Sequence, residues 1–400
     1  PIVWTAVQYL RSYGTLGFTW NNLCYTQSHA LQLIQSAAVV GSYGISAGIV
    51  VINVLIFRLI EQRNDPGQVA RRLAVIFGLF LVPEIYGLIV LNDAADAGDR
   101  RRVSVGLIQP NVDPNAKWDQ EAFSNNMQLL HDLTDSVAVR PLDLVVWPET
   151  ATPTFLRRNY FGSLTKIRQH LTALNVNLLT GVPVFEKHHS ADYKVYNATF
   201  LLRPNSTSIE DYRKMQLVPF GEYIPLSGYF PDLKSINLGQ GNFDAGTEVK
   251  VFRIPLKPDQ RAAADTVLAF NSVVCYESTF PFLIRQAARQ GSELLVIVSN
   301  DAWFGNASAP FLHAEISRFR AIENHIPVVR SANTGISLIL DARGRTLQSL
   351  DFGRLGWLSA TIAQGRPTTL YVKFGNWIAQ LGVIMTVILI GYSFVKKRTA

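Results

Sequence analysis

Three stretches of this 400-residue chain are almost free of charge. Residues 30–57 and 374–395 contain no Asp, Glu, Lys or Arg, and residues 73–91 contain one, Glu84. Each is near or above the roughly 18–20 apolar residues that a helix needs to cross a bilayer. The first 28 residues are apolar, aromatic and glycine-bearing, and read as a membrane helix with a re-entrant or interfacial piece. Tyr9, Tyr13, Trp20 and Tyr25 suit an aromatic belt there, or equally packing between helices. From Arg102 the period changes. Short runs rich in Val, Leu and Ile at 103–108, 143–147, 177–182, 249–254, 267–274, 294–299, 328–332 and 335–340 read as buried strands, and 198–202 with 208–213 as a hairpin. Segments 120–137, 164–174, 279–290 and 313–324 read as helices; in the first, Phe123, Met127, Leu130 and Leu133 fall at helical spacing. The pattern predicts a membrane region over 1–98, a mixed α/β domain with helices covering its strands over 99–369, and a last span with a basic tail over 370–400.

Composition sharpens this division. Charged residues are 17% of the chain, against roughly 25% in ordinary soluble domains. The net charge of +7 does not point to nucleic acid, because no nucleic-acid-binding pattern accompanies it. Many basic residues instead flank the apolar runs: Arg58, Arg63, Arg71 and Arg72, then Lys396, Lys397 and Arg398. Flanking charge of this kind sets membrane orientation. A basic, cytoplasmic 58–72 connection puts 99–369 outside the cytoplasm and returns the C-terminal basic cluster to the inside, so both clusters agree. The chain opens at Pro1 inside an apolar run, which reads as a piece whose N-terminal part is missing.

Only Cys24 and Cys275 are present, too few for a disulfide framework. Cys275 follows an apolar run, where a free cysteine is either a small buried hydrophobe or a kept nucleophile. Glu149 ends a similar run after Trp147 and Pro148; it suits a partly desolvated base or a helix cap. Lys214 is followed at once by an apolar run, yet most lysines are solvated surface charges. A cysteine nucleophile needs a base, and none of the seven histidines has a supporting context: His188 and His189 lie in a polar stretch, and His313 reads as structural. That pushes the base role to a carboxylate.

The words around these residues resemble a known family. Glu149, Lys214 and Cys275 stand in the order and strand context of the nitrilase superfamily Glu-Lys-Cys triad. Trp147-Pro-Glu-Thr150, Tyr212-Arg-Lys214, Val218-Pro-Phe-Gly-Glu-Tyr-Ile-Pro225, Val274-Cys-Tyr-Glu-Ser278 and Val298-Ser-Asn-Asp-Ala-Trp-Phe-Gly305 resemble the apolipoprotein N-acyltransferase family. The resemblance covers essentially the whole chain. It implies a nitrilase-like αββα sandwich flanked by transmembrane helices, with only the later of the family's roughly eight helices present here. It implies a Cys275 nucleophile, a Glu149 general base and a Lys214 oxyanion stabiliser. It further implies supporting roles for Glu222, Tyr276, Glu277, Trp118, Asn197 and Trp303, with core packing an equal reading for the two tryptophans. The implied reaction takes an acyl chain from a phospholipid, through a thioester, to the α-amine of a diacylglyceryl apolipoprotein. No cofactor and no metal are expected, nor any nucleic-acid partner; the expected state is a monomer in the bacterial inner membrane with its catalytic domain on the periplasmic side. The long apolar stretch 223–246 reads as a lid or membrane-facing arm. A membrane-anchored amidase is the alternative, and a non-catalytic scaffold a further one; the flanking spans argue against the first and the intact triad against the second.

Overall fold

The computed structural model describes residues 1–93, 101–113, 120–152, 154–158, 162–187, 193–227, 229–230, 232–233, 241–257, 267–305 and 308–399. Its N-terminal part is helical: α1 (Ile2–Leu10), α2 (Leu31–Ile34), α3 (Ala37–Glu61) and α4 (Pro66–Asn92). There follow β1 (Arg102–Gln109), α5 (Gln120–Val137), β2 (Leu144–Val146), α6 (Ser163–Leu174), β3 (Asn177–Lys187), β4 (Tyr193–Leu202) and β5 (Ile209–Arg213). The second half holds β6 (Val251–Pro255), β7 (Val267–Val274), α7 (Pro281–Arg289), β8 (Leu294–Ser299), α8 (Ala309–Asn324), β9 (Val328–Ala332), β10 (Ser337–Leu340), β11 (Thr346–Leu350) and β12 (Gly356–Ala363). The chain closes with α9 (Leu370–Phe374) and α10 (Trp377–Thr399).

Two six-stranded sheets form, in the orders β12-β1-β2-β3-β4-β5 and β11-β10-β9-β8-β7-β6. In each, the three central strands are parallel: β1, β2 and β3 in one, β7, β8 and β9 in the other. Those strands read as unbroken apolar runs because both of their faces are covered. Between the sheets, Val105, Leu144, Val146, Leu179, Val274, Val296 and Val298 meet in one core cluster. Outside the first sheet, Leu130, Ile167 and Leu171 of α5 and α6 pack on Val145, Leu178 and Phe200; outside the second, Leu283 and Ala321 of α7 and α8 pack on Ile297 and Val328. The result is the expected αββα sandwich. The far face of α8 carries Ile316, Phe319 and Ile322 against Cys24, Ile34 and Ala37, so that helix also joins the sandwich to the apolar helices.

Among the described residues, three helices are long and apolar enough to cross a membrane: Ala37–Glu61, Pro66–Asn92 and Trp377–Lys396. The first two differ in extent from the charge-free runs. Residues 31–34 are a separate short helix, so the first span starts later. The second starts earlier, at Pro66, because the Asp65 carboxylate accepts the N–H groups of Gly67 and Gln68 and Pro66 needs no partner at the first turn. Gly41, at φ 68°, breaks the first turn of α3, a left-handed backbone that glycine adopts without strain.

Candidate active site

The carboxyl ends of the parallel strands converge, which is where open α/β sheets bind ligands. β7 runs directly into a short 3₁₀ turn, Cys275–Thr279, and Cys275 itself sits at φ 50°. A non-glycine residue in the left-handed region stores roughly 1–3 kcal/mol of strain and is held there only by its surroundings. In the other sheet, β2 ends at Val146 and the chain turns through Trp147 and Pro148 to Glu149. A Cβ on Gly181 of the neighbouring strand would lie 2.6 Å from the Glu149 Cα and 2.5 Å from the Thr150 N, so this turn approaches as closely as only glycine permits. Lys214 follows the last residue of β5.

Three charged side chains form a buried cluster. The Lys214 Nζ lies 2.8 Å from Glu222 Oε1, 2.7 Å from Glu222 Oε2 and 3.8 Å from Glu149 Oε1. Asn197, on β4, donates from Nδ2 to both acids, at 2.7 Å to Glu149 and 2.9 Å to Glu222. The Val218 N–H donates to Glu222 Oε2 at 2.8 Å. Burial works against the Lys214 charge, but Glu222, Glu149 and Cys275 outweigh it and hold the ammonium above its usual range. Burial and the Glu149 carboxylate push the Cys275 thiol well above its usual range, with Lys214 opposing them. Cys275 therefore rests as a thiol, next to a cluster with two carboxylates and one cation.

Glu277 is a staple between the lysine strand and the cysteine turn. Fully buried, it accepts from the Tyr212 hydroxyl at 2.7 Å, from the Met215 and Gln216 N–H groups at 2.6 and 3.1 Å, and from the Val274 N–H at 2.8 Å. Burial raises the Glu277 pKa above the usual carboxylate range, and the four donors oppose that shift without cancelling it. Glu277 thus fixes the spacing of Lys214 and Cys275 more than it lines a pocket.

The structure brings Glu149, Lys214, Cys275, Glu222, Asn197, Tyr276 and Glu277 together. Trp303 is 71% exposed on the turn after Asp301 and is no part of the hydrogen-bonded cluster. Trp118 lies outside the described residues, as do His188, His189 and residues 228, 231 and 234–240 of the 223–246 stretch. The described parts of that stretch are tied to the site: Phe243 N–H donates to the Glu222 carbonyl at 2.9 Å and Gly246 N–H to the Lys214 carbonyl at 2.7 Å, while Tyr229 and Phe230 are exposed. A cavity of about 860 Å³ is lined by Met215 and Gln216, which follow Lys214 in the chain, by Tyr223 and Ile224, which follow Glu222, and by Gly14, Thr15 and Gly17.

Two groups of residues escaped sequence reasoning. The N-terminal segment reaches the cysteine turn: the Tyr276 hydroxyl donates to the Gly17 carbonyl at 2.8 Å, Thr19 Oγ1 bonds Thr279 Oγ1 at 2.7 Å, and Trp20 stacks on Tyr276 with ring centroids 6.2 Å apart. Nothing local in residues 15–20 signals this, since the partners are far apart in the chain. Behind Cys275 lies a second polar group, Asp301, His313 and Arg330, all fully buried. His313 therefore has a context that the histidine count did not disclose. The usable signal was Arg330, a charge inside the fully buried strand β9. Cys275, Asp301 and His313 offer ligand atoms within 4.8 Å of one another, but the Arg330 guanidinium, 2.6 Å from Asp301 and 3.0 Å from His313, already supplies the positive charge at that place.

Known proteins place the arrangement. The family of carbon-nitrogen hydrolases matches residues 104–369, and the apolipoprotein N-acyltransferase N-terminal domain matches residues 1–55. The apolipoprotein N-acyltransferase of Geobacter metallireducens is 34% identical over 402 residues, covering 99% of this chain and 74% of its own length. Those of Chlorobaculum tepidum and Rickettsia prowazekii are 30% and 31% identical, covering 100% and 98% of this chain and 77% and 75% of their own. Among solved structures, an amidase from Nesterenkonia sp. overlays 67% of this chain and 94% of its own with a TM-score of 0.46 and 17% identity, a likeness too distant to bear on activity.

Proposed function

The chain belongs to the apolipoprotein N-acyltransferase family, an acyltransferase family with a nitrilase-superfamily catalytic domain, and from that premise we propose that Cys275 carries the acyl group between two lipid substrates. The observation that carries this reading is the thiol of Cys275, on a left-handed backbone beside Glu149 and Lys214, in a domain packed through α8 onto apolar, membrane-length helices. Glu149 takes the thiol proton as Sγ attacks the ester carbonyl of a phospholipid. The developing oxyanion is met by the Lys214 ammonium and by the Tyr276 N–H at the open first turn of the 3₁₀ helix. The ester C–O bond breaks, Glu149 returns the proton to the leaving alkoxide, and lysophospholipid departs from a Cys275 thioester. The α-amine of a diacylglyceryl apolipoprotein then attacks the thioester carbonyl. Glu149 takes the amine proton and passes it to the departing thiolate, leaving an amide. The site's own residues suffice for every proton in this sequence.

The acyl donor reaches the thiol from the bilayer, through the 860 Å³ cavity that the N-terminal segment and the 223–246 stretch line together. The basic flanks of the spans support a multi-pass inner-membrane protein with residues 99–369 on the periplasmic side. Phospholipid supplied without acceptor is expected to leave an acyl adduct on Cys275, visible by intact-mass spectrometry and labile to hydroxylamine, and Cys275→Ala is expected to form none. An adduct that persists in Cys275→Ala would sink this mechanism.

A further inference from the structure

The polar group behind Cys275 has no route to a substrate, yet it touches the nucleophile's own backbone. His313 Nε2 lies 3.0 Å from the Cys275 carbonyl oxygen, and Ser278 Oγ donates to the same oxygen at 2.9 Å. Ser278 Oγ also lies 2.9 Å from Nε2. The carbonyl can only accept, so we assign the proton to Nε2, which the Ser278 oxygen can accept as well while its own hydrogen goes to the carbonyl. His313 Nδ1 meets the Arg330 Nη2 at 3.0 Å and Asp301 Oδ1 at 3.0 Å. Arg330 also binds Asp301 Oδ2 at 2.6 Å and Ser299 Oγ at 3.1 Å, and Ser299 Oγ donates to Asp301 Oδ1 at 2.8 Å. Trp20 covers the imidazole from the N-terminal segment, with ring centroids 4.6 Å apart. The ring is therefore held on three sides, by β8 and its following turn, by β9 and by the N-terminal segment.

We infer that His313 is a positioning residue for the nucleophile turn, setting the plane of the Cys275–Tyr276 peptide and with it the direction of the Tyr276 N–H. The inference rests on the thioester mechanism above. A trans peptide is planar, and its C=O and N–H point to opposite sides. Two donors that anchor the Cys275 carbonyl on the buried side turn the Tyr276 N–H toward the open side, where an oxyanion would form. They also hold Cys275 at φ 50°, a conformation that the residue would not keep unaided. His313 touches no reacting atom. It acts through the backbone of the residue that does.

The test compares two reactions at the same thiol, in the full chain in phospholipid vesicles. Acylation by phospholipid develops an oxyanion; alkylation by iodoacetamide does not. In His313→Leu, single-turnover acylation of Cys275 is expected to slow roughly 10- to 100-fold, less than the 10²–10³ that follows outright loss of an oxyanion donor. Alkylation is expected to stay within about 3-fold, because it follows the thiolate fraction and access alone. His313→Gln, which keeps an N–H donor near the Cys275 carbonyl, is expected to recover most of the acylation rate. Acylation at the wild-type rate in His313→Leu overturns the inference. So does a parallel fall in both reactions, or a Gln variant of wild-type Tm no faster than the Leu variant. A wild-type protein that forms no adduct at all overturns the thioester mechanism instead.

Discussion

Two of the buried clusters that join acids to bases invite comparison: the one formed by Lys214, Glu222 and Glu149 beside Cys275, and the one where the sandwich meets the apolar helices. They differ by a single carboxylate. At the junction, Arg320 and Glu323 face each other on α8 at 3.1 Å, both fully buried. Glu323 Oε1 also accepts the Ser42 N–H at 2.8 Å, just past the break at Gly41. One cation balances one anion, and the pair ties a helix of the sandwich to the open end of a membrane-length helix. Beside Cys275, Lys214 faces both Glu222 and Glu149. Two carboxylates share that one ammonium, Glu222 at 2.7 Å and Glu149 at 3.8 Å. A one-to-one buried pair holds structure in place; a lysine shared by two carboxylates next to a thiol is the arrangement that the proposed proton transfers call for.

The sharpest test of that contrast is Glu149→Gln. Acyl transfer is expected to fall by about 10²–10⁴, the range for loss of a general base. The thiol should move the other way. Glu149 raises the Cys275 pKa and Lys214 lowers it, so removing the acid shifts the pH midpoint of iodoacetamide alkylation downward. A midpoint that rises or stays would break the argument that the Glu149 charge acts on the thiol. Glu222→Gln is gentler, since it converts the cluster into a one-to-one pair like that at the junction. Glu149 then becomes the only counter-ion of Lys214 among the described residues and a weaker base, and kcat is expected to drop roughly 10- to 100-fold with the thermal midpoint little changed. Full activity in that variant would show that the second carboxylate plays no part. The smallest effect on turnover belongs to Glu323→Gln. Leaving Arg320 buried without its partner is expected to cost about 3–5 kcal/mol of stability by denaturant titration, while kcat of the folded protein stays within a few-fold. Loss of turnover without loss of stability would mean that the junction is more than a lock.

Much of the sandwich could be read from the chain because its central strands are continuous apolar runs and its helices amphipathic. The strands that went unread, β11 and β12, are the ones without that signal. Residues 346–349 of β11 are exposed, and β12 alternates irregularly while pairing antiparallel to β1 at the sheet edge. Glu149, Lys214 and Cys275 were legible because each directly follows an apolar run or precedes one, in words that match a family. Asp301 was in plain view within such a word, but its role was not. Trp303, in the same word, is largely exposed.

What the sequence determined by itself was the set of reactive groups, their places at strand ends, and the apolar spans around them. These are local properties, written in residue type and period. What only the tertiary structure decided was how many charges share a pocket and which backbone atom a buried side chain holds. Asn197 bridges Glu149 and Glu222 from a third strand, His313 reaches the Cys275 carbonyl from α8, and Gly17 and Trp20 meet Tyr276 from the other end of the chain. Such contacts follow from sheet order and from the packing of α8 between two cores, and hydrophobic periodicity carries no record of either.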